Sequence, residues 1–203
     1  MQYNFFNQNE TSSIRTNKWG SFTDIEAFAS NHKKVPVTME QVHKSNFTFI
    51  SEVPSKTIPH VDGVLTNNPE LLLTVKTADC LPILLYHPSG VVGALHAGRK
   101  STEQQLLAKV LTYLKEEKNI HSDISLWFGP AICESCYQID RDNNTHYNLI
   151  SENMRQAYAV SPAENLKIIV NGDCTQCLCD EYHSYRVEKN AVKMNYFGIS
   201  LLD

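Results

Sequence analysis

The chain has 203 residues, with 18 Lys and Arg against 22 Asp and Glu and a net charge of -4. That length supports one sizeable core, read as a single domain over residues 1–203. Scattered basic residues in a mildly acidic chain exclude nucleic acid or an anionic membrane as the expected main partner.

Residues 1–33 are polar and weakly patterned, and residues 1–12 lack a basic segment feeding an apolar run, so no signal peptide is expected. Residues 47–53 read as a strand, and Val61-Asp62-Gly63-Val64-Leu65 as a turn feeding a short strand. Residues 71–76, 81–86 and 91–96 are apolar runs of strand length, too short to span a bilayer. Residues 102–118 carry Leu106, Leu107, Val110, Leu111 and Leu114 at helical spacing. Ser101 and Gln104 form a capping-box pattern at its start. Residues 124–128 and 166–170 read as strands, 145–158 as a helix, and the aromatic tail from Tyr182 as containing strand. Strands and helices mix without a regular βαβ rhythm, which favours an α+β fold. A cytoplasmic location is expected, with six cysteines that are reduced there as a rule.

One segment gives concrete geometry. His87-Pro88-Ser89-Gly90 suits a three-residue hairpin loop with glycine in the left-handed position. His87 then faces Val91, Cys80 faces Gly98, and His96 faces Pro82. Cys80 and His96 fall on one face as diagonal neighbours, within reach of a single metal ion. A loop shorter by one residue would place them on opposite faces. His43, in Gln41-Val42-His43, is the third candidate ligand. Two imidazoles and a thiolate suit zinc with an open coordination position. After His96 the chain runs Gly98-Arg99-Lys100-Ser101 into a helix, a pattern suited to an anion such as phosphate.

Other readings of these residues stay open. Cys80 and His96 form a candidate Cys–His dyad with Asp79 or Asp62 as orienter. His60, beside Val61-Asp62-Gly63, is a reserve ligand. Cys133/Cys136 and Cys174/Cys177 are two C-x2-C pairs that suggest a four-thiolate zinc site. However, 37 residues (137–173) separate the pairs, wider than a zinc ribbon uses, and no knuckle glycine follows Cys136.

Taken together, Gln41-Val42-His43, Val61-Asp62-Gly63-Val64-Leu65-Thr66, Thr77-Ala78-Asp79-Cys80-Leu81-Pro82 and Leu95-His96-Ala97-Gly98 resemble the laccase-domain family. That family is also called YfiH-like or peptidoglycan editing factor-like, and was formerly labelled multicopper polyphenol oxidase. Gly129-Pro130-Ala131-Ile132, Cys136-Tyr137, Cys174-Thr175 and Ser184-Tyr185-Arg186 continue the resemblance in order. It implies a four-layer α/β/β/α arrangement of mixed sheets flanked by helices, and zinc on His43, Cys80 and His96. It also implies phosphorolysis of adenosine, inosine, guanosine or methylthioadenosine, with adenosine deamination as a companion activity. The catalytic residues would be Cys80, His96 and His43, with Arg99, Lys100, Ser101 and Arg186 holding substrate or phosphate. Copper fits less well than zinc, because one His-Cys-His set cannot supply the several copper sites of a phenol oxidase. The chain departs from the family pattern after His96, where Gly98-Arg99-Lys100-Ser101 stands for Gly-Trp-Arg-Gly, and near Met194, where a later Gly-Arg is not recognisable. Two alternatives remain: a thiol hydrolase or amidase acting on cell-wall peptides, and a metal-binding protein without catalysis.

Overall fold

The computed structural model describes residues 14–55, 57–189 and 193–202. In chain order the elements are β1 (Ile14–Trp19), α1 (Phe22–Asn31), β2 (Val35–Val37), β3 (Phe47–Ile50), β4 (Gly63–Thr66), β5 (Leu71–Thr77), β6 (Leu81–His87) and β7 (Val91–Ala97). They continue as α2 (Arg99–Glu103), α3 (Leu106–Glu117), β8 (Ile124–Phe128), β9 (Gln138–Asp140), β10 (Thr145–His146), α4 (Leu149–Val160), β11 (Leu166–Val170), α5 (Tyr185–Glu188) and β12 (Asn195–Leu201).

Period-two alternation sorts the strands into layers. A six-stranded mixed sheet has the order β11-β8-β6-β7-β4-β3, and a four-stranded sheet the order β1-β12-β5-β2. On β6, Leu81, Ile83 and Leu85 point into a core shared with Leu107, Val110, Leu111 and Leu114 of α3. The intervening Leu84 and Tyr86 join Leu71, Leu73, Val75, Phe197 and Ile199 between the two sheets. Leu72 points the other way, under Ile25 and Ala29 of α1. The result is α/β/β/α: α3 and α4 on the six-stranded sheet, the four-stranded sheet behind it, and α1 outside.

The expected hairpin register holds across β6 and β7, with His87 opposite Val91 and Pro82 opposite His96. Gly90 takes φ +86° and its N–H donates to the His87 carbonyl at 3.0 Å. The strands at 124–128 and 166–170 form as expected.

Several expectations are corrected. The 102–118 helix is two helices, because Gln105 adopts φ 64°, ψ 43° between α2 and α3. Ser101 lies inside α2, fully buried, with its hydroxyl between the His96 and Gly98 carbonyls at 3.0 and 3.1 Å. It therefore caps nothing; Gly98 occupies the N-cap position of α2. The strand expected over 47–53 is β3, which ends at Ile50, and α4 starts at Leu149 because 145–146 pair with β9. In the tail, α5 precedes β12. The weakly patterned N-terminal region yields β1 and α1, the latter capped by the Ser21 side chain accepting from the Asp24 N–H. Residues 1–13 of that region lie outside the described residues.

Leu84 is fully buried between the sheets. Leu84→Ala is expected to destabilise the protein by about 2–5 kcal/mol, read by urea unfolding, through lost transfer energy and a residual cavity.

Candidate active site and metal centre

The chain crosses from one sheet to the other at Ala78–Asp79–Cys80, between the end of β5 and the start of β6. His96 lies near the end of β7, beside that crossing. The turn holding His43 precedes β3. The ligand atoms of His43, Cys80 and His96 all lie within 4.8 Å of one another, and the two imidazole rings meet edge to face with centroids 4.6 Å apart.

Asp62 organises this convergence. It directly precedes β4, and its carbonyl accepts from the His96 N–H at 2.7 Å, extending the β4–β7 pairing by one residue. Its side chain is completely buried. Oδ1 meets His96 Nδ1 at 2.7 Å, and the two carboxylate oxygens accept from the backbone N–H groups of Val42, His43 and Lys44 at 3.2, 2.9 and 2.8 Å. One carboxylate thus closes the turn that carries His43, whose φ is 56°, and orients the His96 ring. Binding Nδ1 leaves Nε2 as the nitrogen available to a metal, the usual outer-shell arrangement at histidine ligands. Gln41 pins the same turn to β5 through paired bonds with the Lys76 backbone, at 2.7 and 3.0 Å.

The electrostatics follow from these contacts. Burial raises the Asp62 pKa, but the His96 and backbone hydrogen bonds outweigh it and hold the carboxyl below its ordinary value. Burial pushes the Cys80 thiol up, yet hydrogen bonds to His43 and His96 bring it down to about 7. Burial would lower His96, but Asp62 and then Cys80 raise it to about 9. Without metal, Cys80 is therefore a thiolate above about pH 7 while His96 stays protonated up to about pH 9. A Cβ on Gly98 would lie 2.8 Å from Cys80 Sγ and 3.2 Å from His43 Cδ2, so only glycine admits this close approach.

The three side chains lie on a cavity of about 1010 Å³ that is also lined by Lys76, Arg99, Lys100, Arg186 and Lys189, and by Tyr137, Tyr185 and Met194. Arg99 pairs with Glu103 at 2.9 Å, and the Arg186 guanidinium sits 5.4 Å from the Tyr137 ring centre and reaches the Gln138 carbonyl at 3.1 Å. Asp79 is no orienter of His96. Its carboxylate accepts from the Thr175 hydroxyl at 2.8 Å and the Arg186 N–H at 2.7 Å, tying the 175–186 segment to the residue before Cys80. Ser101, expected to hold phosphate, is buried with its hydroxyl engaged and does not line the cavity. His60 pairs with Glu40 at the surface, outside the cluster. Lys76, Lys189 and Tyr185 were missed as lining residues. Lys76 had a signal in the sequence, as the one charged residue of the Leu71–Thr77 strand.

The profile described as multi-copper polyphenol oxidoreductase laccase matches residues 21–165. The chain belongs to this laccase-like family. A Campylobacter jejuni protein named purine nucleoside phosphorylase Cj1217c is 31% identical over 165 residues, covering 75% of this chain and 72% of that protein. A Rickettsia prowazekii protein, also named a purine nucleoside phosphorylase, is 36% identical over 121 residues, 58% of this chain and 48% of its own length. Among solved structures, YlmD from Geobacillus stearothermophilus superposes with TM-score 0.74 at 25% identity, covering 83% of this chain and 74% of that one. Neisseria meningitidis NMB0706 shares the fold with TM-score 0.77 at 16% identity, covering 100% and 98%. Two side-chain sets among the described residues of this laccase-like chain could hold a metal: His43, Cys80 and His96, and Cys133, Cys136, Cys174 and Cys177. No helix among the described residues is long and apolar enough to cross a membrane.

After metal removal with a chelator, alkylation of Cys80, followed by peptide mapping, is expected to accelerate through about pH 7. A rise centred at about 8.5, the value of an ordinary free thiol, would contradict the thiolate–imidazolium pairing. Asp62→Asn is expected to weaken metal binding about 10- to 100-fold, measured by competition with a chromogenic chelator.

Proposed function

We propose that this laccase-like protein is a zinc-dependent purine nucleoside phosphorylase that converts nucleoside and phosphate to free base and ribose 1-phosphate. The observation that carries the reading is the convergence of two imidazoles and a thiol on a cavity whose lining includes five cationic side chains, in a chain of net charge -4. The names of the relatives add support.

His43, Cys80 and His96 fit zinc by donor chemistry and by mutual spacing, and Asp62 supplies the partner that histidine ligands require. When bound there, zinc supplies Lewis acidity beside the substrate. The chain's own groups bind and orient. Arg99, Lys100 and Arg186 hold the phosphate dianion, with Lys76 and Lys189 adding positive potential. Tyr137 and Tyr185 offer flat apolar faces to a purine ring. Asp79 fixes Arg186 through its backbone N–H, so the guanidinium projects from an anchored position. Adenosine, inosine, guanosine and methylthioadenosine are the candidate nucleosides, with deamination of adenosine as a companion reaction.

A second reading rests on one specific feature, the Asp62–His96–Cys80 chain, which also suits a thiol nucleophile with an oriented base. Such a hydrolase needs no metal and retains activity after chelation.

Incubation of the protein with adenosine, with and without phosphate, separates these readings by chromatography of the products. Phosphorolysis predicts adenine and ribose 1-phosphate only with phosphate, abolished in Cys80→Ala and by chelation. Inosine without phosphate marks deamination. Absence of adenine under every condition, or full activity in Cys80→Ala, would overturn the proposal. Arg186→Ala is expected to raise the KM for phosphate by about tenfold or more, from the loss of a charge-assisted hydrogen bond of about 1.5–3 kcal/mol.

A further inference from the structure

The second set of candidate metal-ligand side chains shares no residue with the His43–Cys80–His96 set. Strands β8 and β11 are parallel neighbours at one edge of the six-stranded sheet. Both C-x2-C segments follow the C-terminal ends of these strands, so they emerge from the same end of the sheet. The 37-residue separation is the crossover through α4 that any parallel pair requires. Two well-spaced pairs in sequence thereby become one cluster in space.

The local backbone holds that cluster together. An isolated parallel bridge joins Ala131 to Cys174, with the Ala131 N–H donating to Asp173 at 3.2 Å and the Thr175 N–H to Ala131 at 3.3 Å. Cys133 and Cys136 sit at the start and end of a single 3-10 turn (Glu134–Cys136). The sulfur atoms of Cys133, Cys136, Cys174 and Cys177 all lie within 4.8 Å of one another. Zinc–sulfur bonds of about 2.3 Å place tetrahedral ligands about 3.8 Å apart, and Cys136 and Cys177 already stand at 3.5 Å. The buried Cys174 sulfur also receives two backbone N–H groups, from Cys133 at 3.2 Å and Cys177 at 3.4 Å. A disulfide needs only two of these sulfurs; the convergence of all four on one centre is what a metal ion requires.

We propose that Cys133, Cys136, Cys174 and Cys177 bind a zinc ion as a closed tetrathiolate site. Four thiols lose four protons as the ion binds, giving a four-coordinate complex with no open position, so the site is structural. It clasps the chain after β8 to the chain after β11. That second segment continues directly into Thr175, whose hydroxyl bonds Asp79, the neighbour of Cys80. The clasp therefore holds one wall of the cavity in place. The site's existence does not depend on the phosphorylase reading.

The test uses the full chain carrying Cys80→Ala, which removes one ligand of the other centre, purified in reducing buffer and loaded with zinc or cobalt. The expected result is one tightly held metal equivalent, sulfur-only coordination at about 2.3 Å by X-ray absorption, and an intense sulfur-to-cobalt charge-transfer band. Adding Cys177→Ser should abolish that equivalent, whereas adding Cys179→Ser should leave it. Circular dichroism of both variants checks that they fold. If Cys177→Ser unfolds the chain, the coordination spectrum of the Cys80→Ala protein alone still decides. Four reduced thiols without bound metal, nitrogen or oxygen in the coordination shell, or Cys133, Cys136, Cys174 and Cys177 recovered as disulfides from reducing buffer would each overturn the proposal.

Discussion

The buried Asp62 carboxylate is the interaction on which the site depends. Taking an ionised carboxylate out of water costs several kcal/mol. Three backbone N–H groups and the His96 ring offset that cost with four charge-assisted bonds of about 1.5–3 kcal/mol each. The same four bonds do structural work in two directions: one aligns the His96 ring on a central strand, and three close the turn that carries His43. Without the carboxylate, three amides and an imidazole would lose their partner together.

The layers explain why the site lies where it does. Alternation on β5 and β6 packs the two sheets face to face, and the chain crosses between them through three residues. Such a crossing cannot continue the hydrogen-bond ladder of either sheet, so its residues are free for other contacts. Asp79, with φ 86°, uses its carboxylate to gather Thr175 and Arg186, and Cys80 beside it faces the two histidines. The cavity is thus assembled from segments far apart in sequence, each held by a buried acid. Asp62 secures the His43 side, and Asp79 secures the Arg186 side.

How much of this was legible in the sequence depended on the range of the interaction. The β6–β7 register could be read because Pro88 and Gly90 fix the loop length and period-two alternation does the rest. The apolar face of α3 was equally plain. The break at Gln105 was not, because glutamine, unlike glycine or asparagine, carries no local preference for the left-handed backbone it adopts. Ser101 was misread because Ser-x-x-Gln looks the same whether the hydroxyl caps an amide or is buried against the His96 and Gly98 carbonyls. The orienting acid could be narrowed to Asp62 or Asp79 but not chosen, since the choice rests on the β4–β7 register. The two C-x2-C pairs looked too far apart for one site because sequence distance conceals a parallel crossover.

His43, Cys80 and His96 surround the point where a single metal ion would sit at the cationic cavity. The most direct measurement is an anomalous difference map at the zinc edge from zinc-loaded crystals soaked with phosphate. The expected result is a peak bonded to all three side chains, at about 2.0–2.3 Å, with phosphate density bounded by Arg99, Lys100 and Arg186. Zinc bound elsewhere with none among these three residues, or the His43 and His96 rings turned away from a shared ion, would contradict it.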